Sequence, residues 1–449
     1  MDRHRTEPQV TEMPGERARE WVEYHQSHAA PSNDVYDFVW DVTDDAVGPF
    51  VTDVDGNVLL DFTSHVAAAP LGYNNPKITE PMAEFDLPDP SKIAGQDFYL
   101  SDGSHPGEST FPGPTELMDE LTETTSQYGL DTVFLSNSGA EAVENAIKTC
   151  YDDTSGRYGI TFHGAFHGRT LGALSLNRSK GVYRRNFPEI DGIHDAPYCD
   201  DRNCSPASCT CGFFTDGGDT SVLREALDEK TGWIDPDEVA YVILEPIQGE
   251  GGYRFPSDSF VSELTAVTER HDINLIADEI QSGMGRTGEM WASDHYPYEP
   301  DVISAAKALR VGATIGSRET FPEELNRLSS TWGAGDVLAA MQGVFTIRAI
   351  REYDLLANAV ERGRQFREIV EDADLDPVTD VRGKGLMLAV EFDSHDRRDA
   401  VTEAAMHRGL LTLAAGDDIV RVLPPLDVTE REIEMGASML VDAVEDTTY

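Results

Sequence analysis

The apolar run INLIA at 273–277 leads straight into Asp278-Glu279-Ile280-Gln281, and Lys307, one of only seven lysines, follows Asp278 by 29 residues behind PDVISAA at 300–306. A carboxylate at a strand end and an amine beyond the next apolar segment can be aimed at one bound group. Such a pair suits pyridoxal phosphate, which needs an amine for a Schiff base and an anion beside its pyridinium nitrogen. Taken singly, each residue also has an ordinary reading: Asp as a turn former after a strand, Lys as a solvated surface charge.

A third feature suits a phosphate. The run VFLS at 133–136 breaks at Asn137-Ser138-Gly139-Ala140, after which Val143, Ala146, Ile147 and Cys150 recur at helical spacing. A helix that opens on Gly139 and Ala140 leaves its first amides uncovered, and such a start attracts anions. The same turn also occurs in proteins without a ligand.

Positioning these groups requires a sheet. Apolar runs at 158–162, 240–244, 273–277 and 313–315 alternate with helical patterns such as Phe260, Leu264 and Val267, which predicts a mainly parallel sheet covered by helices. Ligands of such sheets lie at the carboxyl ends of the strands, where Asp278 and Glu245 fall. From Val337 the pattern turns helical through Leu338, Met341 and Phe345, passes through LMLAV at 386–390, and reaches the capping box Thr429-Glu430-Arg431-Glu432. A chain of 449 residues exceeds a single core. The expected division is a segment 1–60 packing with the small domain, a large domain 61–336 that binds the cofactor, and a small domain 337–449.

Acidic side chains number 82 against 35 basic ones, a net charge of −47. Such a field repels nucleic acid and anionic membranes. It also strains the fold by self-repulsion, which salt relieves because the screening length falls to about 3 Å at 1 M. Hydrophobic residues make up 40% and the acids are spread along periodic segments, which excludes a disordered acidic chain. No stretch approaches 18 apolar residues, and residues 1–10 contain no apolar signal core. The expectation is a non-exported protein of a salt-rich cytoplasm.

Seven blocks carry a family resemblance: NSGAEAVENAIK at 137–148, GAFHGRTL at 164–171, EPIQGEGG at 245–252, DEIQSGMGRTG at 278–288, Lys307, STWG at 330–333 and VRVLPPL at 420–426. In type and order they resemble the class III, pyridoxal-phosphate-dependent aminotransferases. The resemblance implies an α/β protein of the fold-type I class, with a mainly parallel seven-stranded sheet in the large domain and a smaller α+β domain. It implies Lys307 as the Schiff-base lysine, Asp278 on the pyridine nitrogen, Gln281 on the ring's phenolic oxygen and Phe166 stacked on the ring. Ser138, Gly139 and Ala140 would hold the phosphate, and Thr331 would reach a phosphate across the interface of a homodimer with shared sites. Arg421 resembles a clamp for the α-carboxylate of 2-oxoglutarate, Glu250 a gate that pairs with it, and Arg169 an anchor for a distal carboxylate. His167 reads as a structural histidine and Glu279 as a supporting residue. The chain departs from the common glycine-rich pattern after Lys307, where it has Ala308-Leu309-Arg310-Val311-Gly312.

The implied reaction is transfer of an amino group from an ω-amino acid to 2-oxoglutarate, ping-pong through pyridoxamine phosphate. The blocks look most like the 4-aminobutyrate and L-lysine ε-aminotransferase branch, and Val66, where ornithine enzymes carry a tyrosine, argues against ornithine. Other readings of the same scaffold are an aminomutase, racemase or decarboxylase, or a non-catalytic binding protein.

Outside these blocks, Cys199, Cys204, Cys209 and Cys211 crowd a polar, turn-rich segment. A zinc or iron–sulfur site is one reading, since metal can order thiolates on a loop too polar to form a core. Disulfides or free thiols are the others, the former disfavoured in a cytoplasm. Cys150 reads as a buried helix residue.

Overall fold

The run VAYVIL at Val239–Leu244 is buried at all six positions, as a strand covered on both faces must be. It lies within a seven-stranded sheet. In chain order the strands are β1 (Thr132–Ser136), β2 (Tyr158–Phe162), β3 (Ile193–Ala196), β4 (Val239–Leu244), β5 (Asn274–Asp278), β6 (Val302–Ala305) and β7 (Gly312–Gly316). Their order across the sheet is β1-β7-β6-β5-β4-β2-β3. β3, β2, β4, β5 and β6 pair in parallel, and β7 runs against both β6 and β1. The seven-stranded, mostly parallel sheet expected from the resemblance is present. β3, with the sequence IHDA, has no apolar alternation because it is an edge strand that stays half exposed.

The computed structural model describes residues 1–32, 38–87, 98–106, 108–200, 204–329 and 335–447. They form two compact units: one of residues 81–285 and 289–349, the other of 1–80, 286–288 and 350–449. The unit that holds both chain termini thus also takes in the short segment 286–288.

In the sheet-bearing unit, helix α1 (Gly139–Thr154) starts at Ser138, whose Oγ accepts the Glu141 N–H at 3.2 Å. Its apolar stripe of Val143, Ala146, Ile147 and Cys150 packs on Tyr241, Ile243, Ile276 and Val302. Each large aliphatic buried there contributes about 1.5–3 kcal/mol. Helix α2 (Asp258–His271) is capped by the Ser257 hydroxyl and buries Phe260, Leu264 and Val267.

The second unit holds a four-stranded antiparallel sheet ordered 378–384, 387–392, 419–422, 413–415. Its helices include 355–372, 395–407 and 430–446, and the last carries the Thr429/Glu432 capping box. Backbone strain is concentrated at Ser64, His65, Val66 and Ala67, with φ of 44°, 51°, 57° and 68°. A left-handed turn costs each L-residue about 1–2 kcal/mol. The Ser64 hydroxyl helps hold it by donating to the Leu423 carbonyl at 2.6 Å.

Candidate active site

Parallel pairing brings the two chemistry-bearing residues to one end of the sheet. Asp278, the last residue of β5, lies opposite Ser304 of β6, and the Glu279 N–H donates to the Ser304 carbonyl at 2.9 Å. Lys307 opens the single turn after β6, which closes at Arg310 in left-handed backbone, φ 65°. The turn is therefore made without a glycine at that position. Gly312, by contrast, is required where β7 passes the start of α1: a Cβ there would lie 2.3 Å from Ser136 Oγ and from the Ser138 carbonyl oxygen.

Lys307, Asp278, Gln281, Phe166, Arg169 and Glu250 line one cavity of about 310 Å³, with Gly139 and Ala140 also in its wall. Ser138 lies just outside that wall as the cap of α1. The amides of Gly139 and Ala140 occupy the first helical positions, which have no acceptor within the helix.

Asp278 is held at both oxygens. His167 Nδ1 lies 2.8 Å from Oδ2, both side chains being buried, and the Ile280 N–H donates to Oδ1 at 3.1 Å. An ionised carboxylate only accepts, so Nδ1 carries the hydrogen. The His167 N–H donates to Asn177 Oδ1 at 2.6 Å, and Asn177 Nδ2 donates to the Gly168 carbonyl at 2.8 Å. Gly168, at φ 144°, sets this loop against α1, where a Cβ would come within 2.8 Å of the Ala140 Cβ. His167 thus does more than fill the core: it positions the carboxylate of Asp278.

Glu245 shares this buried region and accepts the Phe166 and Gly249 N–H groups at 2.9 and 2.8 Å. Burial pushes its carboxyl up to about 7; His167 and the two amides oppose the rise, and Asp278 adds to it. Glu279 points elsewhere and is satisfied by the amides of Ala292 and Ser293 and the hydroxyls of Ser282 and Ser293. It is a supporting residue, as expected.

The Arg169 guanidinium lies 4.5 Å from the Tyr183 ring and 5.5 Å from the Phe166 ring. The Tyr183 hydroxyl donates to Glu250 Oε2 at 3.4 Å. Burial raises the Tyr183 phenol, Glu250 adds to the rise and Arg169 opposes it. Tyr183 had no signal in the sequence, being 14 residues from Arg169 on a four-residue helix.

Two expected substrate residues belong to the other unit. Arg421 is buried on the strand 419–422, opposite Ala389 and Leu413. Val66, in the left-handed turn, lines a cavity of about 200 Å³ together with Asp61 and Tyr73. Thr331 lies outside the described residues.

The 310 Å³ cavity fits pyridoxal phosphate on its own chemistry. It offers an amine, a fixed carboxylate, an aromatic face, and a helix start with small residues. Gln281 Oε1 is also buried there without a partner among the described residues, a polar atom that a ligand would satisfy.

The family model for class-III aminotransferases matches residues 32–444. The acetylornithine aminotransferase of Methanopyrus kandleri is 32% identical over 88% of this chain and 92% of its own length. The alanine/serine racemase of Pyrococcus horikoshii is 30% identical over 98% of this chain and 92% of its own. Among solved structures, the lysine aminotransferase of M. tuberculosis in its internal aldimine form superposes with a TM-score of 0.83 at 28% identity, covering 96% of this chain and all of that one. The chain is a member of the class-III aminotransferases, fold-type I enzymes that use pyridoxal phosphate.

Proposed function

We propose that this aminotransferase moves the terminal amino group of an ω-amino acid, lysine- or 4-aminobutyrate-like, to 2-oxoglutarate. The observation that carries the reading is the convergence of Lys307 and Asp278 from neighbouring parallel strands into one cavity, with Arg169, Tyr183 and Glu250 grouped beside them. Bound pyridoxal phosphate supplies a ring that takes up the electrons released when the substrate carbon loses its proton. Lys307 Nζ is the attachment point and the group that removes and returns that proton. Asp278 keeps the ring nitrogen protonated, His167 holds Asp278 in place, Gln281 meets the phenolic oxygen and Phe166 covers the ring face. Ser138, Gly139 and Ala140 receive the phosphate at the start of α1, with Thr331 contributed across a homodimer interface.

Substrate selection then rests on charge. Arg169 takes the distal carboxylate of the ω-amino donor, Arg421 takes the α-carboxylate of glutamate or 2-oxoglutarate as a bidentate partner, and Glu250 neutralises Arg421 while the ω-amino donor is bound. Val66 contributes an apolar wall. The net charge of −47 supports a protein that works in a salt-rich cytoplasm. Among the described residues no helix is long and apolar enough to cross a membrane.

A second reading, racemisation, is favoured by the likeness to the P. horikoshii racemase. A donor screen separates the two. Lysine, 4-aminobutyrate, N-acetylornithine and L-alanine are each supplied with 2-oxoglutarate at high and low salt, and glutamate is measured. The expected result is glutamate formed from an ω-amino donor at least about tenfold faster than from alanine. Conversion of L-alanine to D-alanine without any oxo acid, and no glutamate from the ω-amino donors, would overturn the proposal.

A further inference from the structure

Among the described residues, none from Cys199 to Cys211 lines the cavity, yet this segment brings its four sulfurs together. All four Sγ atoms lie within 4.8 Å of one another. The individual separations are 4.0 Å for Cys199–Cys209, 3.1 Å for Cys199–Cys211, 3.5 Å for Cys204–Cys209, 3.2 Å for Cys204–Cys211 and 3.4 Å for Cys209–Cys211. A disulfide would bring a pair to about 2.0 Å, and all four cysteines are free. Four thiolates around one tetrahedral ion with bonds of about 2.3 Å stand roughly 3.8 Å apart. The observed spacings lie close to that value. An iron–sulfur cluster binds its cysteines through irons bridged by sulfide, so at least some pairs of thiolates must span two metal atoms. Four sulfurs this close leave room for one ion and no more.

Hydrophobic packing does not explain the convergence. The intervening residues include Asp200, Ser205, Ser208 and Thr210, and a thiol is too weak a donor for S–H contacts to order such a loop. The Phe214 N–H points at Cys209 Sγ at 3.3 Å, the kind of outer hydrogen bond that stabilises a metal-bound thiolate. We propose that Cys199, Cys204, Cys209 and Cys211 hold one structural zinc ion. With four protein sulfurs the coordination is closed, which leaves no position for a reacting water.

The surrounding contacts show what the ion would secure. Tyr198 and Phe213, each near a ligand, pack on Phe260 of α2 at 5.2 and 4.6 Å between ring centroids. The Cys199 carbonyl accepts the Ser257 N–H at 2.9 Å, at the cap of the helix that leads into β5 and Asp278. On the other side, Arg254 Nη2 donates to the Tyr198 carbonyl at 3.2 Å and the Tyr198 hydroxyl to the Arg254 carbonyl at 3.3 Å. Arg254 and Gln248 exchange backbone hydrogen bonds at 3.0 and 3.3 Å, closing the turn that bears Glu250. The zinc knuckle therefore clamps the base of α2 and the Glu250 turn.

The test uses the full-length enzyme with its pyridoxal phosphate, purified without chelator. Elemental analysis is expected to find about one zinc per chain, released in step with modification of four thiols by an organomercurial. Exchange for cobalt(II) should produce the intense visible bands of tetrahedral thiolate coordination, a readout on the unmodified sequence that does not depend on any variant folding. Cys209→Ser should lose most of the zinc and lower the thermal midpoint, while Cys150→Ser keeps a full complement. Iron accompanied by acid-labile sulfide would overturn the proposal. So would a metal-free native protein whose four thiols alkylate freely, or a Cys209→Ser protein that retains its zinc.

Discussion

Replacing His167 with leucine removes the Nδ1–H that meets Asp278 Oδ2 at 2.8 Å while keeping an apolar side chain in a fully buried place. Hydrogen bonds to charged groups contribute about 1.5–3 kcal/mol, and the carboxylate left behind cannot recover water. Among the described residues, Asp278 would keep the Ile280 N–H at 3.1 Å as its one remaining donor, and its carboxylate would be free to turn from the ring nitrogen. The expected loss is roughly ten- to 150-fold, the same energy expressed as a ratio, in turnover and in affinity for pyridoxal phosphate. His167→Asn, which retains an N–H donor, should recover part of it. Turnover is measured by coupled glutamate detection, and cofactor affinity by the visible absorbance of the enzyme titrated with pyridoxal phosphate. A leucine variant that melts at a lower temperature yet keeps wild-type cofactor affinity and turnover would refute the reasoning and leave His167 as a space filler.

Borohydride reduction of the holoenzyme should fix the cofactor to Lys307; peptide mapping that finds the label on another lysine ends that assignment, and Lys307→Ala should retain cofactor without turning over. In single-turnover experiments, Glu250→Ala should slow the half-reaction with the ω-amino donor and spare or speed that with glutamate, whereas equal losses for both would reduce Glu250 to a structural part. Glu245 gives a pH signature. Its folded carboxyl sits near 7 against an ordinary 4.5, so the folded state holds a proton that the unfolded state has released. Its contribution is fully present below about 4.5 and is lost as pH rises through about 7, a fall of about 3 kcal/mol. Denaturation of cofactor-free wild type and Glu245→Gln at constant high salt should therefore show the variant gaining on the wild type between pH 5 and pH 8, and parallel pH profiles would count against a buried, protonated Glu245.

Much of the fold was legible because burial leaves a local record. VAYVIL is apolar throughout because β4 is covered on both faces, and the stripe Val143, Ala146, Ile147, Cys150 is one face of α1. Thr429 and Glu432 mark a helix start through hydrogen bonds spanning three residues. The candidate site was legible for a different reason: Asp278 ends a strand and Lys307 lies just beyond one, where an acid and an amine name their own chemistry, whereas Gln281 was marked only by the family resemblance. What pattern could not carry was partnership. His167 and Asp278 are 111 residues apart, and only the placement of β5 beside β4, with the GAFHG loop folded onto α1, turns a core histidine into the holder of a carboxylate. Tyr183 joins Arg169 and Glu250 for the same reason. The four cysteines announced a cluster, but that their sulfurs converge within 4.8 Å of one another is visible only in the tertiary structure. Residue types and periodicity are properties of one segment, whereas distances between segments are set by the order of the strands and the close approach of glycines such as Gly168 and Gly312. The chemistry on offer was therefore written in the sequence, and the pairing that makes it a site was decided by the tertiary structure.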